Sequence, residues 1–217
     1  MNNARILYLH GLASSPQSLK ALYFRERLAT VGLDVRVPDL NEGDFRGLTT
    51  SRAVDLALRE AAELSAPLVI FGSSFGGRVG CLAARKLQER VAGLVLMAPA
   101  FSLEGVWRQT LGPDGPQTWR DAGELAVDHP AYEGEVPLGY GFYEDALKTD
   151  GVPELRPGLP ALVFHGVRDD VVPFADSERF AQSNPGARLV PLNSDHSLND
   201  QHVPMWQEIE PFLENVL

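Results

Sequence analysis

Leu68-Val69-Ile70-Phe71-Gly72-Ser73-Ser74-Phe75-Gly76-Gly77 is the stretch on which the rest of the chain turns. A short apolar, β-branched run meets small residues, and a segment with helical periodicity follows. Only one register satisfies Gly-x-Ser-x-Gly: Gly72, Ser74 and Gly76. Centring the pattern on Ser73 needs glycine at position 71, where Phe71 stands. The reading is a serine on a sharp strand-to-helix turn. Such a turn strains the backbone, and flanking β-carbons collide with it. The N-terminal end of the following helix aims amide groups and a positive dipole at the serine. Alone, the five-residue match is weak, because glycine–serine loops are common.

Outward from this stretch, strand and helix patterns alternate. Apolar runs predict strands at 5–9, 35–38, 68–71 and 91–97, and helical spacing predicts helices at 18–31, 51–64 and 75–88. This β-α-β-α-β-α-β order implies a parallel sheet with helices on both faces. Continuously apolar strands suit burial on both sides. From Phe101 to Pro157 the regularity breaks. Glycine, proline and the aromatics Trp107, Trp119, Tyr132, Tyr140, Phe142 and Tyr143 dominate, with short helices expected at 103–111, 116–124 and 143–149. A segment of about 55 residues is small for independent stability, so 101–157 reads as a cap inserted at the strand ends. Regularity returns with a strand at 161–164, a helix at 174–182, a strand at 188–191 and a helix at 203–217. The expectation is one compact α/β domain over 1–217, with about six mainly parallel strands, helices on both faces and the cap within it.

The chain has 217 residues, 44% hydrophobic and 22% charged, with a formal net charge of -10. That charge argues against a phosphate-backbone partner and against anionic membranes. No stretch approaches the roughly 20 apolar residues of a membrane span. The opening Met1-Asn2-Asn3-Ala4-Arg5 runs directly into a strand pattern, without the apolar core of a signal peptide. The single cysteine, Cys81, permits no intrachain disulfide and suits a reducing, cytoplasmic compartment. It lies in an apolar helical stretch and reads as a buried structural thiol.

Three residues in order complete the chemistry. Ser74 follows one strand. Asp169 lies in His165-Gly166-Val167-Arg168-Asp169-Asp170, after a later strand. His196 lies in Asn193-Ser194-Asp195-His196-Ser197, after the last strand. Open parallel sheets gather their sites at these strand ends. Serine is a poor nucleophile until a base takes its proton. Histidine serves as base and then acid, and a carboxylate fixes its tautomer. Two backbone amides are needed for the oxyanion: Phe75, after the nucleophile, and Leu12, in the His10-Gly11-Leu12 loop. Asp170 is a rival acid whose alternative is a helix cap beside Pro173. Asp195 is a rival too, although a side chain adjacent to the histidine rarely points at its ring. His10 and His165 suit loop-holding hydrogen bonds, and His129 and His202 read as surface residues. No histidine pair has metal-ligand spacing with a carboxylate, so neither metal nor other cofactor is expected.

The chain resembles the α/β-hydrolase superfamily over nearly its whole length. Tyr8-Leu9-His10-Gly11-Leu12-Ala13-Ser14-Ser15-Pro16-Gln17-Ser18-Leu19-Lys20-Ala21 is similar to the small bacterial esterases of the YqiA type. His165 to Pro173, with Ser194-Asp195-His196, is similar to acyl-protein thioesterases and related abhydrolase-domain enzymes. The resemblance implies Ser74, Asp169 and His196 as the triad, and places the acid at the fifth position of His-Gly-x-x-Asp, which favours Asp169 over Asp170. It implies a six-stranded sheet. Pro137-Leu138-Gly139-Tyr140-Gly141-Phe142-Tyr143 departs from the bacterial esterase pattern. The expected activity is hydrolysis of small or acyl-chain carboxylic esters or thioesters through an acyl-enzyme, by a monomer or homodimer. His10, Gly11, Trp107 and Tyr140 are the candidate substrate-pocket residues. A non-catalytic binding module on the same fold and a peptidase using the same triad stand as alternatives.

Overall fold

The computed structural model describes residues 5–132 and 134–217. The leaderless start read at Met1–Ala4 lies outside them. Six strands form one sheet: β1 (Ile6–Leu9), β2 (Val35–Arg36), β3 (Leu68–Ser73), β4 (Val91–Met97), β7 (Ala161–Gly166) and β8 (Ala187–Leu192). Their order is β2-β1-β3-β4-β7-β8, and every pairing is parallel. The alternation of side chains along each strand divides the core in two. Leu7, Leu9, Ile70, Leu94, Leu96 and Val163 face one side, against Val54 of α2 (Thr50–Ala62), Val79 of α3 (Phe75–Leu87) and Phe180 of α7 (Phe174–Ser183). Tyr8, Val69, Phe71, Val95, Met97 and Phe164 face the other, against Phe24 of α1 (Leu19–Thr30) and Ile209 of α8 (His202–Val216). This is the α/β-hydrolase sheet expected from the sequence, wholly rather than mainly parallel.

Helix starts follow local chemistry. The Ser18 hydroxyl accepts the Ala21 amide at 3.4 Å and the Thr49 hydroxyl accepts the Arg52 amide at 3.1 Å, each meeting a donor that the first turn cannot satisfy itself. The second strand is shorter than read: it ends at Arg36, before Pro38, and sits at the sheet edge. From β1 the chain winds outward to β2, then returns past β1 to β3 and continues the other way. The winding reverses between β1 and β3, where open sheets form a crevice at their carboxyl ends.

The described residues of 101–157 form three α-helices, α4 (Leu103–Leu111), α5 (Gly115–Ala122) and α6 (Gly141–Leu147), a short 3-10 turn (Pro130–Tyr132), and a hairpin that the sequence did not reveal, β5 (Glu124–His129) with β6 (Gly134–Gly139). Pro137 pairs with Ala126 in that hairpin. A proline argues against a central strand, but in a two-stranded ribbon both strands are edges and its missing donor costs little. Trp107 and Trp119 meet at 4.9 Å between ring centroids, and Trp119 Nε1–H donates to the Leu138 carbonyl at 3.0 Å. Two surface expectations are corrected. His129 is buried edge-on against Phe45, and His202 is half-buried and stacked on Tyr23 at 4.9 Å. Among the described residues no helix is long and apolar enough to cross a membrane.

Arg78 of α3 ties this segment to the sheet. It is 2% exposed. Its guanidinium donates to the carbonyls of Phe101 and Ala146, the latter at 2.8 Å, and to the Thr149 hydroxyl at 2.9 Å. The Phe101 and Ala146 carbonyls are buried and lose a charged donor if the arginine is removed. Arg78→Met is therefore expected to lower the unfolding free energy by about 2–4 kcal/mol, measured by urea titration with an unchanged slope.

Candidate active site

Ser74 sits between β3 and α3 with φ 52° and ψ -116°, a backbone state that L-residues rarely occupy. Its neighbours make that state possible. A β-carbon on Gly72 would fall 2.5 Å from the Gly76 carbonyl oxygen, and one on Gly76 would collide with the Leu9 and His10 carbonyls. The turn is pinned from β4 and the segment after it: the Ser74 amide donates to Met97 O at 2.9 Å, and the Ala100 amide donates to Ser74 O at 3.1 Å.

The structure brings the three predicted side chains together. His196 Nε2 lies 3.0 Å from Ser74 Oγ, and His196 Nδ1 lies 2.7 Å from Asp169 Oδ2. With the carboxylate on Nδ1, that nitrogen carries the proton and Nε2 faces the hydroxyl as an acceptor. Ser73 is buried and is not in this line, so the register on Ser74 is the one that reaches the imidazole. The Asp169 side chain is fully buried. Its Oδ1 accepts the amides of Val171 and Val172 at 2.9 and 2.8 Å. Burial works to raise its pKa. Hydrogen bonds from His165 and His196, the field of His196 and the Val172 amide outweigh that and hold the carboxyl well below the usual range.

His165 does more than hold a loop. Its Nε2 reaches both Val172 O at 3.1 Å and Asp169 Oδ2 at 3.1 Å, while Nδ1 lies 2.7 Å from the Ser177 hydroxyl. Both neighbours of Nε2 are acceptors, so Nε2 carries the proton and braces the Asp169 carboxylate. The rival acids are engaged elsewhere. Asp195 accepts the Ser197 amide and hydroxyl. Asp170 is exposed and does not cap α7, which starts after Pro173 with no side-chain cap.

A cavity of about 770 Å³ opens beside Ser74 and His196, lined by Gly11, Leu12 and, from the inserted segment, Pro130 and Ala131. A β-carbon on Gly11 would lie 3.5 Å from Ser74 Cβ, so the loop after β1 abuts the serine. Among the described residues the Leu12 and Phe75 amides have no acceptor, as oxyanion donors require. Three of the predicted pocket residues lie elsewhere. His10 is buried, its Nδ1–H donating to Gly11 O at 2.8 Å and its Nε2 accepting the Leu40 amide at 2.9 Å, so it shapes the loop from beneath. Trp107 packs on Trp119 and Phe142, and Tyr140 on Trp119 and Tyr143. These rings consolidate the insertion instead of walling the cavity. The cavity also takes Tyr8 and Lys20, which the sequence reading did not single out. Their signal lay in the motif itself, where Lys20 stands two residues after the Ser18 cap. Cys81 is buried, and burial pushes its thiol far up. Among the described residues no group of three or more His, Cys, Asp and Glu side chains is placed to hold a metal ion.

The profile of the uncharacterised protein family UPF0227 matches residues 5–213. The chain belongs to that family. Solved structures similar to this UPF0227 protein share its fold. Alpha/beta hydrolase domain-containing protein 10 from mouse is 20% identical with a TM-score of 0.80, over 98% of this chain and 90% of that one. Est1E from Butyrivibrio proteoclasticus, solved with ferulic acid bound, is 19% identical with a TM-score of 0.80, over 99% and 90%. A relative from Mycobacterium phage D29, described as a "Putative non-heme haloperoxidase", is 28% identical over 79% of this chain and 73% of its own length.

The depressed Asp169 pKa has a consequence for stability. A carboxyl whose folded pKa lies below its unfolded value, near 4, stabilises the fold above that value and loses the contribution as pH falls toward the folded pKa. The stability advantage of wild type over Asp169→Asn should therefore shrink as pH drops from about 5 toward 3, read from urea midpoints of both proteins across that range.

Proposed function

We propose that this protein is a serine hydrolase that cleaves carboxylic esters or thioesters through an acyl-enzyme. The observation that carries the reading is the continuous hydrogen-bonded line Ser74–His196–Asp169 at the edge of a cavity. Ser74 Oγ attacks the scissile carbonyl as His196 Nε2 takes its proton. Asp169 keeps Nδ1 protonated and stabilises the imidazolium. In this reading the tetrahedral oxygen accepts from the Phe75 and Leu12 amides, which stabilise the charge as it develops. His196 then protonates the departing alcohol or thiol. Water repeats the sequence in reverse, releasing the acid and restoring Ser74. Every step uses protein groups and water.

Serines 14, 15 and 18, Gln17 and Asn199 line the cavity together with Leu12 and Ala13. That mixed wall suits a small, partly polar substrate. Ferulic acid in the similarly folded Est1E is a carboxylic acid of that kind.

Ser74→Ala is expected to lower the hydrolysis of p-nitrophenyl esters by more than about 10³-fold. Retention of a tenth of the wild-type rate rules the reading out. A fluorophosphonate probe should label Ser74 alone, and mass spectrometry placing the adduct on Ser73 overturns the register. Asp169→Asn should cost on the order of 10⁴ in kcat, whereas Asp170→Asn stays near wild type; the reverse pattern reassigns the acid.

A further inference from the structure

One wall of the cavity beside Ser74 is basic, although the chain as a whole carries a net charge of -10. Lys20 stands in the first turn of α1, where the helix dipole is positive. Its Nζ donates to the Ser197 carbonyl at 2.5 Å. An ammonium has three donors, and among the described residues the other two meet no acceptor, nor does any carboxylate lie within ion-pairing distance. Asp195 and Asp169 act on Lys20 only through the longer-range field. Asp195 is turned to Ser197 and Asp169 to the two histidines. His202, the other titratable neighbour, is kept toward its neutral form by burial and then by Lys20 itself. Burial pushes the Lys20 pKa down to about 8 against the pull of Asp195 and Asp169.

Tyr8 lines the same cavity from β1. It is 1% exposed and its hydroxyl has no hydrogen-bond partner. Burial pushes its pKa far up, so it remains a neutral donor. A half-empty ammonium and an unpaired buried hydroxyl at one cavity are each costly until an acceptor completes them. One ammonium with one hydroxyl matches a singly charged oxygen acid better than a dianion.

We propose that Lys20 and Tyr8 form a carboxylate-binding subsite, and that the substrate is an ester or thioester carrying a free carboxylate. This rests on the ester hydrolase reading and names its substrate class. The carboxylate docks against Lys20 Nζ and the Tyr8 hydroxyl while the scissile carbonyl lies at Ser74. The same contact explains how an acidic protein takes an acidic substrate: the local cation, not the net charge, meets it.

The test compares kcat/KM for charged and neutral partners of matched size, p-nitrophenyl hydrogen glutarate against p-nitrophenyl valerate for a carboxylate on the acyl side. For the alcohol side it uses 4-acetoxybenzoate against 4-acetoxybenzamide. On at least one arm wild type should prefer the anion, and Lys20→Met should cut the charged-to-neutral ratio about 10- to 100-fold. Tyr8→Phe should cut it by about 3- to 10-fold. Because Tyr8→Phe removes only an unpartnered oxygen, it carries the test if Lys20→Met does not fold. A ratio unchanged on both arms overturns the subsite even if both rates drop, since parallel loss is what Lys20 does if it merely steadies the Ser197 carbonyl. Calorimetry of glutarate on Ser74→Ala, with and without Lys20→Met, separates the two readings. Lys20-dependent binding without hydrolysis of any ester keeps the subsite and removes the hydrolase. Ser74-dependent hydrolysis with no anion preference does the opposite.

Discussion

The site depends on one steric pinch. Ser74 holds a left-handed backbone only because Gly72 and Gly76 carry no β-carbons. Gly76 lets α3 settle against the Leu9 and His10 carbonyls at the end of β1, and that contact delivers the next loop to the serine. Gly11 then abuts Ser74, and among the described residues neither the Leu12 amide that follows it nor the Phe75 amide has an acceptor. A bulkier side chain at 72 or 76 would open the turn and separate hydroxyl, imidazole and amides together. The strain at Ser74 is held by two backbone hydrogen bonds, to Met97 and from Ala100, so the sheet and the segment after β4 share its cost.

Asp169 is the electrostatic counterpart of that pinch. A buried carboxylate is unfavourable alone. Asp169 is made tolerable by two amides and two imidazoles. The bonds that lower its pKa are the ones that fix its direction, so charge and orientation of His196 are set by one arrangement. His165 belongs to this arrangement as a positioning residue, with Ser177 holding its other nitrogen. Lys20 contacts the His196 loop at Ser197, so His196 and the candidate anion subsite line one cavity.

Residues 101–157 were the least legible part. Helix α4 matched its apolar spacing, because Leu103, Val106 and Trp107 share a buried stripe. The β5–β6 hairpin did not announce itself: Pro137 and the glycines at 134 and 139 interrupt any strand pattern, while the strand state comes from pairing each edge with the other. Trp107 and Tyr140 are large aromatics of the sort that line pockets. Among such rings, mutual packing removes more apolar surface from water than facing a cavity does, and they pack on Trp119.

The alternation of strands and helices, the two-sided burial of the sheet, the register on Ser74 and the chain order of serine, acid and histidine were all determined by the sequence alone. They rest on periodicity, turn chemistry and residue type, which act over a few neighbours. That His129 is buried, and that Tyr8 and Lys20 share a cavity with Pro130 and Ala131, were decided only by tertiary structure. Those positions come from loops on different strands whose approach is set by helix–sheet packing across the whole fold. A side chain's local pattern says which face of its own element it occupies, but not what the rest of the chain brings to that face.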